Sequence, residues 1–201
     1  ISANTPTVDE TNGGTVVSYA VTPSLPPGLS IDAASGIITG TPTSIVAQND
    51  YSITATNSGG SALRTISITV NDKAPVFTGY STSSDTYVLN QLISANTPTV
   101  DETNGGTITS YSVAPALPNG LNLDTATGVI SGTPIVLSEQ NTYTVTASNT
   151  GGDVSQIITL TVNDKAPIFT GYSSSTTTYV LNVAISANTP TVDETNGGTV
   201  V

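Results

Sequence analysis

The sequence predicts an all-β protein made of tandem β-sandwiches, and three observations carry that expectation. The first is a repeat. The stretch Ile-Ser-Ala-Asn-Thr-Pro-Thr-Val-Asp-Glu-Thr-Asn-Gly-Gly-Thr stands at residues 1–15 and returns unchanged at residues 93–107 and 185–199, a domain-sized step of about 92 residues. The second is a period of two in the apolar positions, with Thr and Ser between them, which is the mark of a half-buried strand. The third is a turn signal every 8–12 residues or so, the spacing of short antiparallel strands in a sandwich.

The step divides the chain into residues 1–72, a repeat without its first strand, residues 73–164, one complete repeat, and residues 165–201, the front of a third. A second marker keeps the same register: Asn71-Asp72-Lys73-Ala74-Pro75-Val76-Phe77-Thr78-Gly79-Tyr80 recurs from Asn163 to Tyr172 with Ile168 in place of Val. Within the complete repeat, residues 86–89 and 93–100 supply apolar strand pieces. Phe77 and Tyr80 read as aromatics packing beneath a neighbouring turn. Asn104-Gly105-Gly106 supplies residues that tolerate positive φ between strands. Tyr111 and Val113 alternate with Ser110 and Ser112. Pro118-Asn119-Gly120 sets a turn between Leu117 and Leu121, with proline fixing φ and glycine taking the strained position. Leu123 to Val129 reads as a tight hairpin in which Asp124 accepts backbone N–H groups, and Gly132-Thr133-Pro134 ends the pairing. Tyr143, Val145 and Ala147 form the next buried face. Asn149-Thr150-Gly151-Gly152 turns the chain, and Ile158, Leu160 and Val162 form the last face. No segment keeps a helical spacing.

Composition excludes several functions. The net charge is −11 with only three basic side chains, Arg64, Lys73 and Lys165. That leaves no cationic footprint for a nucleic acid and little attraction to an anionic membrane. No apolar run approaches the length of a transmembrane helix. Cys, His, Met and Trp are absent, which removes thiol nucleophiles, His-based triads and the usual zinc ligands. Paired carboxylates would suit glycoside hydrolysis, but adjacent Asp and Glu on a strand point to opposite faces. No enzyme is expected.

The run Ser110-Tyr111-Ser112-Val113, Leu117-Pro118-Asn119-Gly120-Leu121, Leu123-Asp124, Thr127-Gly128-Val129-Ile130 and Gly132-Thr133-Pro134 resembles the Ig-like domains of bacterial surface proteins, and Tyr143 to Asn149 with Val162-Asn163-Asp164 completes the pattern. The same residues are similar to the dystroglycan-type cadherin-like domain. The resemblance implies tandem Ig-like or cadherin-like sandwiches in a long exported protein, acting as spacers or binding modules at the cell surface, bacterial in origin. Its cadherin side implies Ca²⁺ at the repeat junction. Thr69 and Lys73 depart from the acidic cadherin junction motif, as do Asn57, Asn149 and Gly40-Thr41-Pro42 from the other cadherin acidic positions.

Asp101-Glu102, with copies Asp9-Glu10 and Asp193-Glu194, is the densest acidic cluster. Folded near Asn71-Asp72 or Asn163-Asp164, such a pair gives a candidate oxygen-ligand calcium site. The other reading is a solvated turn ahead of Asn-Gly-Gly. The expected function is a non-catalytic structural repeat of an extracellular stalk, adhesin shaft or filament. Its partners are then neighbouring repeats of the same chain or filament, or another copy joined by strand addition. The alternatives are a carbohydrate- or matrix-binding module acting by multivalency, or a spacer of a larger secreted enzyme. Residues 1–72 lack a counterpart of residues 74–92, so their order is expected to depend on contacts supplied from elsewhere, either a continuing polymer or the region around residues 172–192 of another copy.

Overall fold

The computed structural model describes residues 3–9, 11, 13–195 and 198, and no helix occurs among them. The chain divides into two compact units, Ile1–Lys73 and Ala74–Val201. The cut falls inside the Asn-Asp-Lys-Ala-Pro junction.

The second unit holds the complete repeat. Five strands, β1 (Ser18–Thr22) to β5 (Gly60–Val70), lie in the first unit; those of the second are β6 (Phe77–Tyr80), β7 (Ser84–Val88), β8 (Pro98–Val100), β9 (Ser110–Ala114), β10 (Leu121–Leu123), β11 (Ile130–Gly132), β12 (Ser138–Asn149) and β13 (Gly152–Asn163). One layer is a four-stranded sheet in the order β7-β13-β12-β9. The facing layer pairs β6 with β8 and β10 with β11. A bridge between Asn96 and Ile130 joins those two pairs, each residue donating its N–H to the other's carbonyl at 2.9 Å.

The period of two in the sequence becomes the inner face. Tyr143, Val145 and Ala147 on β12 and Ile158, Leu160 and Val162 on β13 are each no more than 2% exposed. Phe77, Tyr80, Tyr111, Leu123 and Ile130 meet most of them from the other strands, in one continuous core. The alternating Thr and Ser hydroxyls face outward, where water satisfies them, so the sheet buries one face at little polar cost.

The hairpin over Leu123–Val129 forms as the sequence predicts. Asp124 Oδ1 accepts the N–H groups of Ala126 and Thr127 at 2.9 and 2.8 Å. These bonds, the Thr127 N–H first and the Ala126 N–H next, hold the Asp124 carboxyl below its ordinary value of 3.8. Asp32 caps the same turn in the first repeat and is lowered in the same way, chiefly by Ser35.

The first unit contains β1 (Ser18–Thr22), β2 (Leu29–Ile31), β3 (Ile38–Gly40), β4 (Val46–Asn57) and β5 (Gly60–Val70). It forms a β1-β4-β5 sheet, a β2-β3 hairpin and an Asn4–Ile38 bridge. The last stretch of the chain forms a single hairpin of β14 (Phe169–Tyr172) and β15 (Pro190–Val192).

Two measurements check this packing. Leu160→Ala is expected to cost about 2–5 kcal/mol in chemical denaturation, and Ile157→Ala, on the exposed face of the same strand, less than about 0.5 kcal/mol. The lowered Asp124 carboxyl also fixes a sign. A depressed folded-state pKa gives stability that is complete above the unfolded value and is lost as pH falls through the folded one. Asp124→Ala therefore lowers the Tm at neutral pH and shrinks the Tm loss as the pH falls below about 4, read by thermal melts across a pH series.

Candidate functional site

Chemically distinctive side chains gather in two places, the acidic turn and the seat of the front strand β6. At the turn, Asp101 Oδ1 accepts the N–H groups of Thr103 and Asn104 at 3.0 and 3.1 Å, and Oδ2 accepts the Asn104 side-chain amide at 2.7 Å. The Asn104 side chain first, then the backbone groups, pull the Asp101 carboxyl below its ordinary value. The Asp101 carbonyl takes the Gly105 N–H, and the Asp101 N–H reaches the Val76 carbonyl at 2.9 Å. The turn thus lies along the start of the front strand.

Its copies behave alike. Thr11 N–H donates to Asp9 Oδ1, and Thr195 N–H to Asp193 Oδ1, both at 3.0 Å. Glu102 is exposed, and Glu10 lies outside the described residues. At the junctions, Asp72 Oδ1 accepts the Lys73 N–H and Asp164 Oδ1 accepts the Lys165 N–H, each at 2.8 Å. Asn71 and Asn163 are exposed, and the Asn163 carbonyl takes the Leu89 N–H at 2.8 Å. A Cβ on Gly198 would lie 3.0 Å from the Asp164 carboxyl carbon, so that acid sits beside Gly198. Among the described residues no three Asp, Glu, His or Cys side chains converge.

Gly105 departs from the sequence expectation. It does not take positive φ. A Cβ there would stand 2.5 Å from the Val76 nitrogen, so glycine is needed for close approach to the front strand rather than for a left-handed turn.

The front-strand seat is the most elaborate part of the repeat. Phe77 and Tyr80 are 2% and 8% exposed. Their rings meet edge to face at 5.6 Å, and Phe77 meets Tyr111 in the same way at 5.9 Å. The Tyr80 hydroxyl donates to the Gly128 carbonyl at 2.6 Å, and burial pushes that hydroxyl's pKa upward. Gln156 Nε2 donates to the Phe77 carbonyl at 2.9 Å. Behind the strand, Asn96 is buried and engaged at both ends: its Oδ1 accepts from Ser81 Oγ and the Thr82 N–H, and its Nδ2 donates to the Thr82 carbonyl. Finally β7 adds in parallel to the edge of β13, from Ser84 opposite Thr159 to Val88 opposite Asn163.

Sequence reasoning places the two aromatics under a turn; Tyr80 does reach the Gly128 turn, whereas Phe77 packs in the core against Tyr111. It missed Asn96, which nothing in the stretch sets apart, since all fifteen residues from Ile93 to Thr107 recur unchanged. It also missed the parallel direction of β7, for which local sequence holds no signal.

The family described as "Putative Ig domain" matches residues 1–71 and, separately, residues 74–163. The chain belongs to this family. Among its relatives is the serine-rich adhesin for platelets of Staphylococcus aureus, 32% identical over 144 residues, which are 71% of this chain and 6% of the adhesin. The chain therefore spans 6% of that relative's length. Solved structures similar to it include extracellular domains 3–5 of Drosophila OTK, with TM-score 0.42 and 17% identity, covering 70% of this chain and 48% of that one. Another is the titin I-band fragment I67–I69, with TM-score 0.40 and 13% identity, covering 77% and 57%.

In these Ig-like repeats the seat is held by two contacts that substitutions separate. Tyr80→Phe removes one buried hydrogen bond and leaves the Gly128 carbonyl unmatched, at a cost of about 1–3 kcal/mol. Gly128→Ala is expected to cost more, because φ is +73° and the new Cβ falls 2.7 Å from the Tyr111 ring. Denaturation midpoints of the two variants, compared with wild type, rank them.

Proposed function

We propose that the chain is a length of the shaft of an extracellular bacterial surface protein, and that its repeats act mechanically and without catalysis. One observation carries this reading: the Ig-like match recurs in tandem at a fixed step, with a short Asn-Asp-Lys-Ala-Pro junction between copies. A proline-containing linker of a few residues restricts bending, so successive sandwiches act as beads of constant length. The likeness to a staphylococcal adhesin supports a surface location. The acidic, Thr-rich surface keeps such a shaft soluble and repels polyanions.

Small-angle scattering on polypeptides of one, two and four repeats tests the reading. The maximum dimension is expected to grow linearly, by about 40 Å per repeat, the length of a twelve-residue strand such as β12. A dimension that stops growing after two repeats contradicts a shaft.

Calcium at the acidic turn is a separate proposal. It rests on the return of Asp-Glu beside an oxygen-rich turn in each copy. Because Asp101 already binds its own turn, the ion has to draw on Glu102 and backbone carbonyls. Millimolar Ca²⁺ is then expected to raise the Tm, with Glu102→Gln abolishing the rise. An unmoved Tm leaves the self-capped turn as the reason for the recurrence.

A further inference from the structure

The complete repeat holds two Asn-Gly pairs, Asn104-Gly105 and Asn119-Gly120. They are alike in sequence and opposite in structure. We infer that Asn119 is a site of spontaneous modification, the conversion of its side-chain amide to an acid through a cyclic imide, and that the fold withholds the same reaction from Asn104. The inference is independent of the shaft reading.

The chemistry needs only water. The Gly120 nitrogen gives up its proton to water or hydroxide and bonds to the Asn119 side-chain carbonyl carbon. The Asn119 amide nitrogen leaves as ammonia, which closes a five-membered imide. Water then adds to either imide carbonyl and opens the ring to aspartate or isoaspartate. The net exchange is ammonia out and water in, with nothing oxidised or reduced. Asparagine is chemically labile for this reason, and most so before glycine, which has no Cβ to hinder the attack.

At Asn104 every reacting group is held by one residue. The Asn104 side-chain amide donates to Asp101 Oδ2 at 2.7 Å, and its backbone N–H to Oδ1 at 3.1 Å. The attacking nitrogen, that of Gly105, donates to the Asp101 carbonyl at 3.0 Å. Gly105 is buried against the Val76 backbone. Attack there waits on opening of the whole turn.

At Asn119 none of these restraints is present. Asn119 and Gly120 are both exposed. Among the described residues the Asn119 side chain has no hydrogen-bond partner, and the Gly120 N–H has no acceptor. The peptide between them is held on one side only, by the Ile135 N–H donating to the Asn119 carbonyl at 2.9 Å. Releasing that one bond frees the peptide to rotate toward the side chain.

The glycine is not negotiable. Gly120 has φ +93°, and a Cβ there would lie 1.9 Å from the Thr133 carbonyl oxygen. Gly28 in the first repeat is bound in the same way, by Thr41 at 2.0 Å. What precedes the glycine is therefore the only free choice, and the two copies choose differently. The first has Pro27, which carries no amide, and the second has Asn119. The repeats then age unequally. Isoaspartate at 119 lengthens the main chain, removes the carbonyl that anchors Ile135, and sets a new negative charge beside the exposed Ile135, Val136 and Leu137.

The test is a time course on residues 1–201 in mildly alkaline buffer, read by peptide mapping with fragmentation mass spectrometry. Asn119 is expected to convert, with isoaspartate among the products, and Asn104 to react at least about tenfold more slowly, since its attack waits on local opening. In strong urea the two sites are expected to react at similar rates. Asn119→Pro, the residue of the first repeat, abolishes the conversion and leaves the fold intact. Aged protein, separated by its added charge, is expected to melt below Asn119→Asp, which has the charge without the longer main chain. Three results overturn the inference: equal rates at the two sites in folded protein, no conversion of Asn119 while the urea sample reacts, or a contrast between the sites that persists unchanged in urea.

Discussion

Tyr111 lies flat across Gly128, with no room for a Cβ between them, and the front strand closes over that pair. The contact decides how the repeat is finished. The β12-β13 ladder is long and self-contained, but the core it faces is only half roofed by β10 and β11. Phe77 fills the remaining space against Tyr111, and Tyr80 reaches the carbonyl that the glycine turn presents. A Thr-rich sandwich with few large side chains relies on these aromatics more than a Leu-rich core would, because each buries a large area at low entropic cost.

The three copies show the consequence, since the same sequence occurs with and without its complement. In the complete repeat, residues 98–100 are a strand because β6 lies beside them. Among the described residues of the first unit, the identical Pro6-Thr7-Val8 has no such partner and is not a strand. Residues 84–88 are a strand against β13, while residues 176–180 are irregular. Strand formation here is a property of the partner edge more than of local propensity. An array of such repeats therefore has a direction: each copy begins with the piece that closes its own groove and ends with an edge prepared to receive it.

Much of this was legible beforehand. The inner faces of β12 and β13 were visible as alternation, and the Asp124 hairpin as an aspartate three residues before Thr127-Gly128. What could not be read depends on contacts distant in sequence. Gly105 looks like a turn glycine, yet its constraint is the backbone of Val76, across the turn. Asn96 is one polar residue in a polar stretch until Ser81 and Thr82 fold onto it. The parallel direction of β7 follows from where β13 leaves its edge. The acidic pair at Asp101 reads in the sequence as an ion site or a solvated turn; the Asp101 oxygens are engaged by Thr103 and Asn104, a pattern that needs only three residues of separation and lies within reach of the sequence.

The account's central claim is that the front strand is what makes each sandwich a protected unit. Native-state hydrogen exchange on residues 1–201 tests it most directly. The amides of β12 and β13 are expected to exchange far more slowly than the matching amides of β4 and β5, with the largest contrast at Ile158 against Ile66 and at Val162 against Val70. Equal protection of the two ladders would contradict the claim, because the first repeat would then be stable with its groove uncovered.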